Sequence, residues 1–208
     1  MSCVAAQAFL TAAVGGSQGD QDASSALAAL VERARAGEAH AFDRLMLETQ
    51  ERVLAVAWRL LGNREDARDA AQETFVRVYR HLARFHAGQD LMAWIYRIAV
   101  NACRDAARRR RRSPIVAIEF REPAVHAKAE EELLDAERRS SVLAALATLP
   151  TKERAALVLR DLEGFTSEQA ARILGCRPGT VRAQVAAARA KIRAHCRRVF
   201  NGPGGGAG

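Results

Sequence analysis

Aromatic side chains are scarce in this 208-residue chain: two Trp, two Tyr and seven Phe make up 5% of it. Its four cysteines (Cys3, Cys103, Cys176 and Cys196) lie far apart and form no C-x-x-C pair, so neither a zinc site nor a disulfide framework is suggested. Reduced thiols in a cytosolic protein are the simpler reading, and a redox-sensing pair stays open beside it. No Lys or Arg precedes Arg33, so the opening "MSCVAAQAFLTAAVGG" lacks the positive region of a signal peptide and reads as a disordered tail. No apolar run reaches the ~18 residues needed to span a bilayer, which predicts a soluble, cytoplasmic protein with no membrane insertion. There is no carboxylate cluster, His/Cys ligand set or Gly-rich phosphate loop. The expectation is therefore a protein that is not an enzyme, with no catalytic residues, no metal and no cofactor.

What is present is alanine, leucine, arginine and glutamate in helical patterns. An apolar fraction of 49% suffices for a core, and the composition predicts an all-α protein. The net charge of +8 suggests a polyanionic partner. The charge is unevenly spread: residues 90–112 hold seven Arg against two Asp, and residues 166–198 hold eight Arg or Lys against one Glu. Between them, residues 113–137 hold seven acids against two bases. This predicts two helical domains joined by a flexible acidic linker. The expected divisions are a disordered tail over 1–25, a helical domain over 26–112, the linker over 113–132, a second helical domain over 133–199 and a tail over 200–208.

In the first domain a short helix is expected over 26–36, stopped at Gly37, and a longer one from Ala39 to Leu61, stopped at Gly62. Phe42, Leu45, Met46, Val53, Ala57 and Leu60 mark the buried face of the longer helix. Asn63 reads as the N-cap of a third helix, with Phe75, Val78, Tyr79, Leu82 and Phe85 on its apolar side. At its start Asp66, Asp69, Gln72 and Glu73 form a polar cluster that helical spacing alone would class as a solvated face. From Leu91 a fourth helix puts Leu91, Trp94, Ile95, Ile98 and Ala102 on one face. Arg97, Asn101, Arg104 and Arg108 stripe another, a set suited to phosphates and base edges. Trp94 can be read as core or as a base-stacking platform, and its apolar neighbours favour the core.

In the second domain one helix runs to Leu149, and another starts at Pro150-Thr151 and ends at Gly164. Thr166 and Gln169 have the spacing of a capping box, Gly175 supplies a C-cap and Pro178 fixes the entry to the next helix. The stretch "TSEQAARILGCRPGTVRAQVAAARAKI" thus has the form of a helix-turn-helix, whose second helix enters the major groove.

Both domains resemble one family, the bacterial extracytoplasmic-function (ECF) class of RNA polymerase sigma factors. The resemblance rests on "DARDAAQETFVRVYRHLARF" and "AWIYRIAVNACRDAARRRRR" in the first domain. In the second it rests on "LATLPTKERAALVLRDLEGFTSEQAARILGCRPGTVRAQ", and it covers about Ala39–Arg112 and Val142–Cys196. It implies that the first domain docks on the clamp helices of the β′ subunit through Asp66, Asp69, Gln72 and Glu73, against the solvated-face reading. The same domain would melt and read the −10 element: the loop from His86 to Asp90 and the helix start near Trp94 capture flipped bases. Arg97, Asn101, Arg104, Arg108 and Arg109 hold the strand. The second domain would meet the β flap and bind the −35 element through Arg177, Thr180, Arg182, Ala183, Gln184 and Arg189. The implied partners are core RNA polymerase, promoter DNA and an anti-sigma factor.

One departure stands out. A helical wheel puts Val181, Val185, Ala188 and Ile192 on the buried side of the recognition helix, and Ala183, Ala186, Ala187, Ala190 and Ala194 opposite. Similar proteins carry more polar residues at 183, 184 and 187. The alanines are either good helix formers or a smooth face that sits close in the groove and meets thymine methyls. Two rival readings are weighed against the sigma factor. A stand-alone duplex regulator usually dimerises, and no helix is left over for that. A nucleic-acid enzyme has no residue set to support it.

Overall fold

In a computed structural model of the chain, residues 19–86, 88–112 and 141–200 are described, and no strand occurs among them. The expected acidic linker, the tail over 200–208 beyond Phe200, residues 1–18 and the helical pattern over 133–140 lie outside the described residues. The chain divides into two compact units, one built mainly from residues 19–112 and the other mainly from 141–200.

The first unit holds four α-helices, α1 (Gly19–Arg35), α2 (Ala39–Leu61), α3 (Arg64–His81) and α4 (Leu91–Arg112), with a 3₁₀ turn at Leu82–Arg84. Helices α2, α3 and α4 pack against one another, and α1 lies mainly on α2. Helix α1 begins at Gly19, within the stretch expected to be disordered. The expected start at Ala26 rested on where apolar periodicity sets in, and the first turns of a helix need not face the core. Gly37 and Gly62 both have positive φ, 93° and 70°, and end α1 and α2 as expected. Gly62 N–H donates to Trp58 O at 2.8 Å, closing the last turn of α2.

Leu45, Val53, Ala57 and Leu60 are buried on α2, whereas Phe42 and Met46 are only half-buried. Thr49 and Val56 complete the face instead. A threonine can sit there because its Oγ1 donates to Leu45 O at 2.7 Å, so no polar atom is stranded. Thr74 on α3 does the same toward Ala70 O at 2.6 Å. The buried face of α3 is Ala67, Ala70, Ala71, Thr74 and Val78, small residues that let the neighbouring helices approach closely. Tyr79, expected on that apolar side, is 65% exposed and meets Phe42 edge-on at 5.0 Å. The reason is rotational: the Ala67-Ala70-Ala71-Thr74-Val78 face points to the core, and Tyr79 is one ~100° step from Val78. Helix α4 is the most buried, with Ile95, Tyr96, Ala99, Val100, Ala102, Cys103 and Ala106 all in the core.

In the second unit residues 141–147 are helical (α5), with Leu143, Ala145 and Leu146 buried. Pro150 precedes α6 (Thr151–Leu157), which widens into a π-helical turn at Val158–Leu162 before Gly164 turns the chain at φ 75°. Helices α7 (Ser167–Leu174) and α8 (Pro178–Phe200) form the helix-turn-helix. The capping box is made: Thr166 N–H donates to Gln169 Oε1 at 2.8 Å, and Gln169 N–H to Thr166 Oγ1 at 3.2 Å. Val181, Val185, Ala188 and Ile192 are buried as the wheel predicts, and Cys196 continues the line.

Candidate nucleic-acid and polymerase-binding surfaces

The N-cap of α3 is as expected: Asn63 Oδ1 accepts from Asp66 N–H at 3.0 Å. Because Asp66, Asp69 and Glu73 follow at i, i+3 and i+7, they share a face with Gln72 beside them. The four are not equivalent. Asp69 and Gln72 are exposed. Asp66 accepts from Arg110 at 2.7 Å, with the arginine side chain only 19% exposed. Glu73 accepts from Arg77 Nε at 2.8 Å.

Arg77 also reaches Asp105 on α4 at 3.0 Å, and Asp105 in turn accepts from Arg108 at 2.8 Å. Partial burial is the largest single influence on Asp105 and raises its pKa. The Arg77 hydrogen bond and the charges of Arg77 and Arg108 together outweigh it and hold the carboxyl below its usual value. Arg77 is raised above the ordinary arginine value chiefly by its bond to Glu73. These bonds tie α3 to α4 and take part of the arginine supply into the scaffold. The Glu73–Arg77 pair is a local i,i+4 pair, but nothing in the local spacing announced the ties of Arg77 to Asp105 and of Arg110 to Asp66, which lie 28 and 44 residues away.

Asp90 Oδ1 accepts from Ala93 N–H at 3.0 Å and so caps α4, whatever else it does. Trp94 is half-buried with its ring 5.3 Å from that of the buried Phe85, so it packs on the core while remaining partly accessible. Beyond it the stripe follows the helix: Arg97 and Asn101 are exposed, Arg104 is half-buried and reaches Asn101 Oδ1 at 3.4 Å, and Arg108 and Arg109 are exposed. Arg97 and Arg109 have no carboxylate partner among the described residues. Cys103, on the opposite face, is pushed up to about 12 by burial, so its thiol is inert at neutral pH.

Arg177, just before α8, and Thr180, Arg182 and Ala183 on it are exposed, and Gln184 is half-buried. Arg182 lies 3.7 Å from Glu168 of α7, an exposed pair of little energetic weight. Of the five alanines expected opposite the core, Ala183, Ala186 and Ala190 are exposed and Ala187 and Ala194 are half-buried. Arg189, grouped by the sequence reading with the DNA contacts, is half exposed but also holds a partner inside its unit. Its Nε and Nη2 donate to the two oxygens of Asp161 at 2.8 and 2.7 Å, and Asp161 is 7% exposed. The Asp161 hydrogen bond raises the arginine's pKa against the opposing effect of burial. The fork commits two of the five guanidinium N–H donors to a buried carboxylate and fixes the orientation of the group. Lys191 donates to Glu153 Oε1 at 2.6 Å on the other flank of α8. Asp161 lies 28 residues from Arg189, and no sequence pattern pairs them.

Among the described residues no group of His, Cys, Asp or Glu could hold a metal ion, and no helix is long and apolar enough to cross a membrane.

Two packed helical units, the second carrying a basic helix-turn-helix, define a sigma-70-type factor, and comparison bears this out. Residues 45–113 match the Sigma-70 region 2 family and residues 139–192 the Sigma-70 region 4 family. The chain is 37% identical over 155 residues to the ECF RNA polymerase sigma factor SigE of Mycolicibacterium smegmatis, covering 73% of this chain and 60% of that one. It is 33% identical over 173 residues to the RNA polymerase sigma-H factor of Pseudomonas aeruginosa, covering 78% and 90%. The solved structure of CnrH in complex with the cytosolic domain of CnrY is 28% identical, with a TM-score of 0.60, and covers 82% of this chain and 96% of that one. The chain belongs to the ECF RNA polymerase sigma factors, and its work is promoter recognition and transcription initiation through RNA polymerase.

Proposed function

We propose that the first unit docks on the β′ clamp helices through the outer face of α3, with Asp69 and Gln72 at its centre and Asp66 and Glu73 at its edge. The start of α4, at Asp90 and Trp94, traps flipped bases of the −10 element, and Arg97, Asn101, Arg104, Arg108 and Arg109 hold the separated strand. Unstacking costs a few kcal/mol per base, so melting needs both a trap and a basic track to offset it. The second unit meets the β flap and lays α8 in the major groove of the −35 element, with Arg177, Thr180, Arg182, Ala183 and Gln184 nearest the DNA. There the alanine face reads backbone and shape more than base edges.

The observation that carries this reading is the division of labour among basic residues. Arg77 and Arg110 are held by carboxylates of their own unit, while Arg97 and Arg109 stand exposed along one helix. The factor acts in the cytoplasm and has no catalysis of its own. CnrH is bound by the cytosolic domain of another protein, which supports a regulatory protein partner of the anti-sigma kind here as well. Run-off transcription with core polymerase on genomic fragments tests the whole reading. Failure of the chain to co-purify with core enzyme, or to direct promoter-specific transcripts, refutes it.

A further inference from the structure

The apolar contacts of α8 are made by Val181, Val185, Ala188, Ile192 and Cys196. They oppose a large roll, which would expose the buried line, but against a roll of a few degrees such non-directional contacts restrain the helix less sharply than directional ones. The polar tethers are directional. Arg189 grips Asp161 with two bonds of 2.8 and 2.7 Å, and Lys191 grips Glu153 at 2.6 Å. Residues 189 and 191 lie about 200° apart around a helix, so the tethers leave α8 on nearly opposite flanks and together oppose rotation in either sense.

Asp161 sits in the π-helical turn at Val158–Leu162, and it is the one buried carboxylate among the described residues. Losing Arg189 would leave that charge without its guanidinium in a poorly solvated place, which is why the pair holds. Roll matters for reading DNA. Side-chain tips ride about 5–6 Å from a helix axis, so a 10° roll moves them by about 1 Å, more than the ~0.5 Å a recognition site tolerates.

We propose that Arg189 is a positioning residue: its fork on Asp161 sets the rotation of α8, and through it the discrimination of the −35 element, without itself contacting phosphate. This rests on α8 being the −35 recognition helix.

The test uses the full chain assembled with core polymerase, on a promoter fragment recovered by run-off transcription and on the same fragment with a scrambled −35 element. Binding is measured over a range of salt for the wild type, R189K and D161N. All three are compared at a temperature where circular dichroism shows full helix content. R189K keeps the charge but loses the planar fork, and Asp161 is too buried to touch DNA. Both variants are expected to lower the affinity ratio between the two fragments by about tenfold, the worth of one base contact. Affinity for the scrambled fragment and the salt slope are expected to stay unchanged.

A direct phosphate contact predicts the reverse. R189K would then be silent, and R189A would flatten the slope of log affinity against log salt by about 0.9. That result overturns the proposal and leaves α8 as the reader. D161N with wild-type discrimination overturns it as well. If the wild type does not distinguish the two fragments, the reading of α8 falls and the proposal with it.

Discussion

Replacing Arg154 with methionine removes a guanidinium that is 9% exposed and whose Nη2 donates to Ala147 O and Leu149 O, both at 3.1 Å. These carbonyls close the end of α5 and the turn into α6, where a helix has no backbone donors left to offer. Hydrogen bonds from a charged group contribute about 1.5–3 kcal/mol each. Burial lowers the pKa of Arg154, so the site charges a desolvation cost that methionine escapes. Allowing for that offset, the net loss is about 2–4 kcal/mol. A unit of roughly 60 residues has about 3–9 kcal/mol of stability in all. At about 4–8 °C per kcal/mol, its melting should fall by roughly 10–30 °C. Hydrogen exchange on the full chain separates the units: amides over 141–200 should lose protection in R154M while those over 39–112 keep it. A loss below about 0.5 kcal/mol, within the range of an ordinary surface substitution, would refute the reasoning, as would equal losses in both units.

Three further outcomes are expected. If Asp69 lies at the centre of the proposed polymerase-docking face, D69K, at an exposed position with no internal partner in the described residues, should weaken binding to core polymerase about tenfold in a competition assay with no fall in melting temperature. If Arg97 holds the separated strand as proposed, R97A should slow open-complex formation on permanganate footprinting and flatten the salt slope by about 0.9, the loss of one phosphate contact. Cys103 should resist alkylation in the native protein at pH 8. Its folded pKa of about 12 lies above the ordinary thiol value of 9.0, so the stability it contributes is whole below pH 9 and is lost as pH rises toward 12. Prompt labelling of Cys103 at pH 8, read by mass spectrometry of its peptide, would contradict its burial.

Much of the fold was legible because helical signals are local. The stops at Gly37 and Gly62, the Asn63 cap, the Thr166–Gln169 box and the buried line Val181-Val185-Ala188-Ile192 each involve residues within a few positions of one another. On the apolar side expected for α3 and the turn after it, Val78, Leu82 and Phe85 are buried and Phe75 is half-buried, but Tyr79 was misplaced because bulk was taken as the mark of burial. Most of the contact face is alanine and threonine beside Val78, and Tyr79 looks outward. Candidate binding residues could be gathered from the stripe on α4 and the start of α3 by spacing and charge, but their individual availability could not.

By itself the sequence determined that the chain is helical, that its charge divides into two basic regions around an acidic stretch, and that its second half carries a helix-turn-helix. Periodicity, caps and composition act over one or two helical turns, so one dimension contains them. Only the tertiary structure decided which arginines are scaffold. Arg77, Arg110 and Arg189 look like their exposed neighbours along the chain, yet each meets a carboxylate 28, 44 and 28 residues away. An ion pair forms where two charges come within hydrogen-bonding distance, and for these three long-range pairs that distance exists only after the helices have packed.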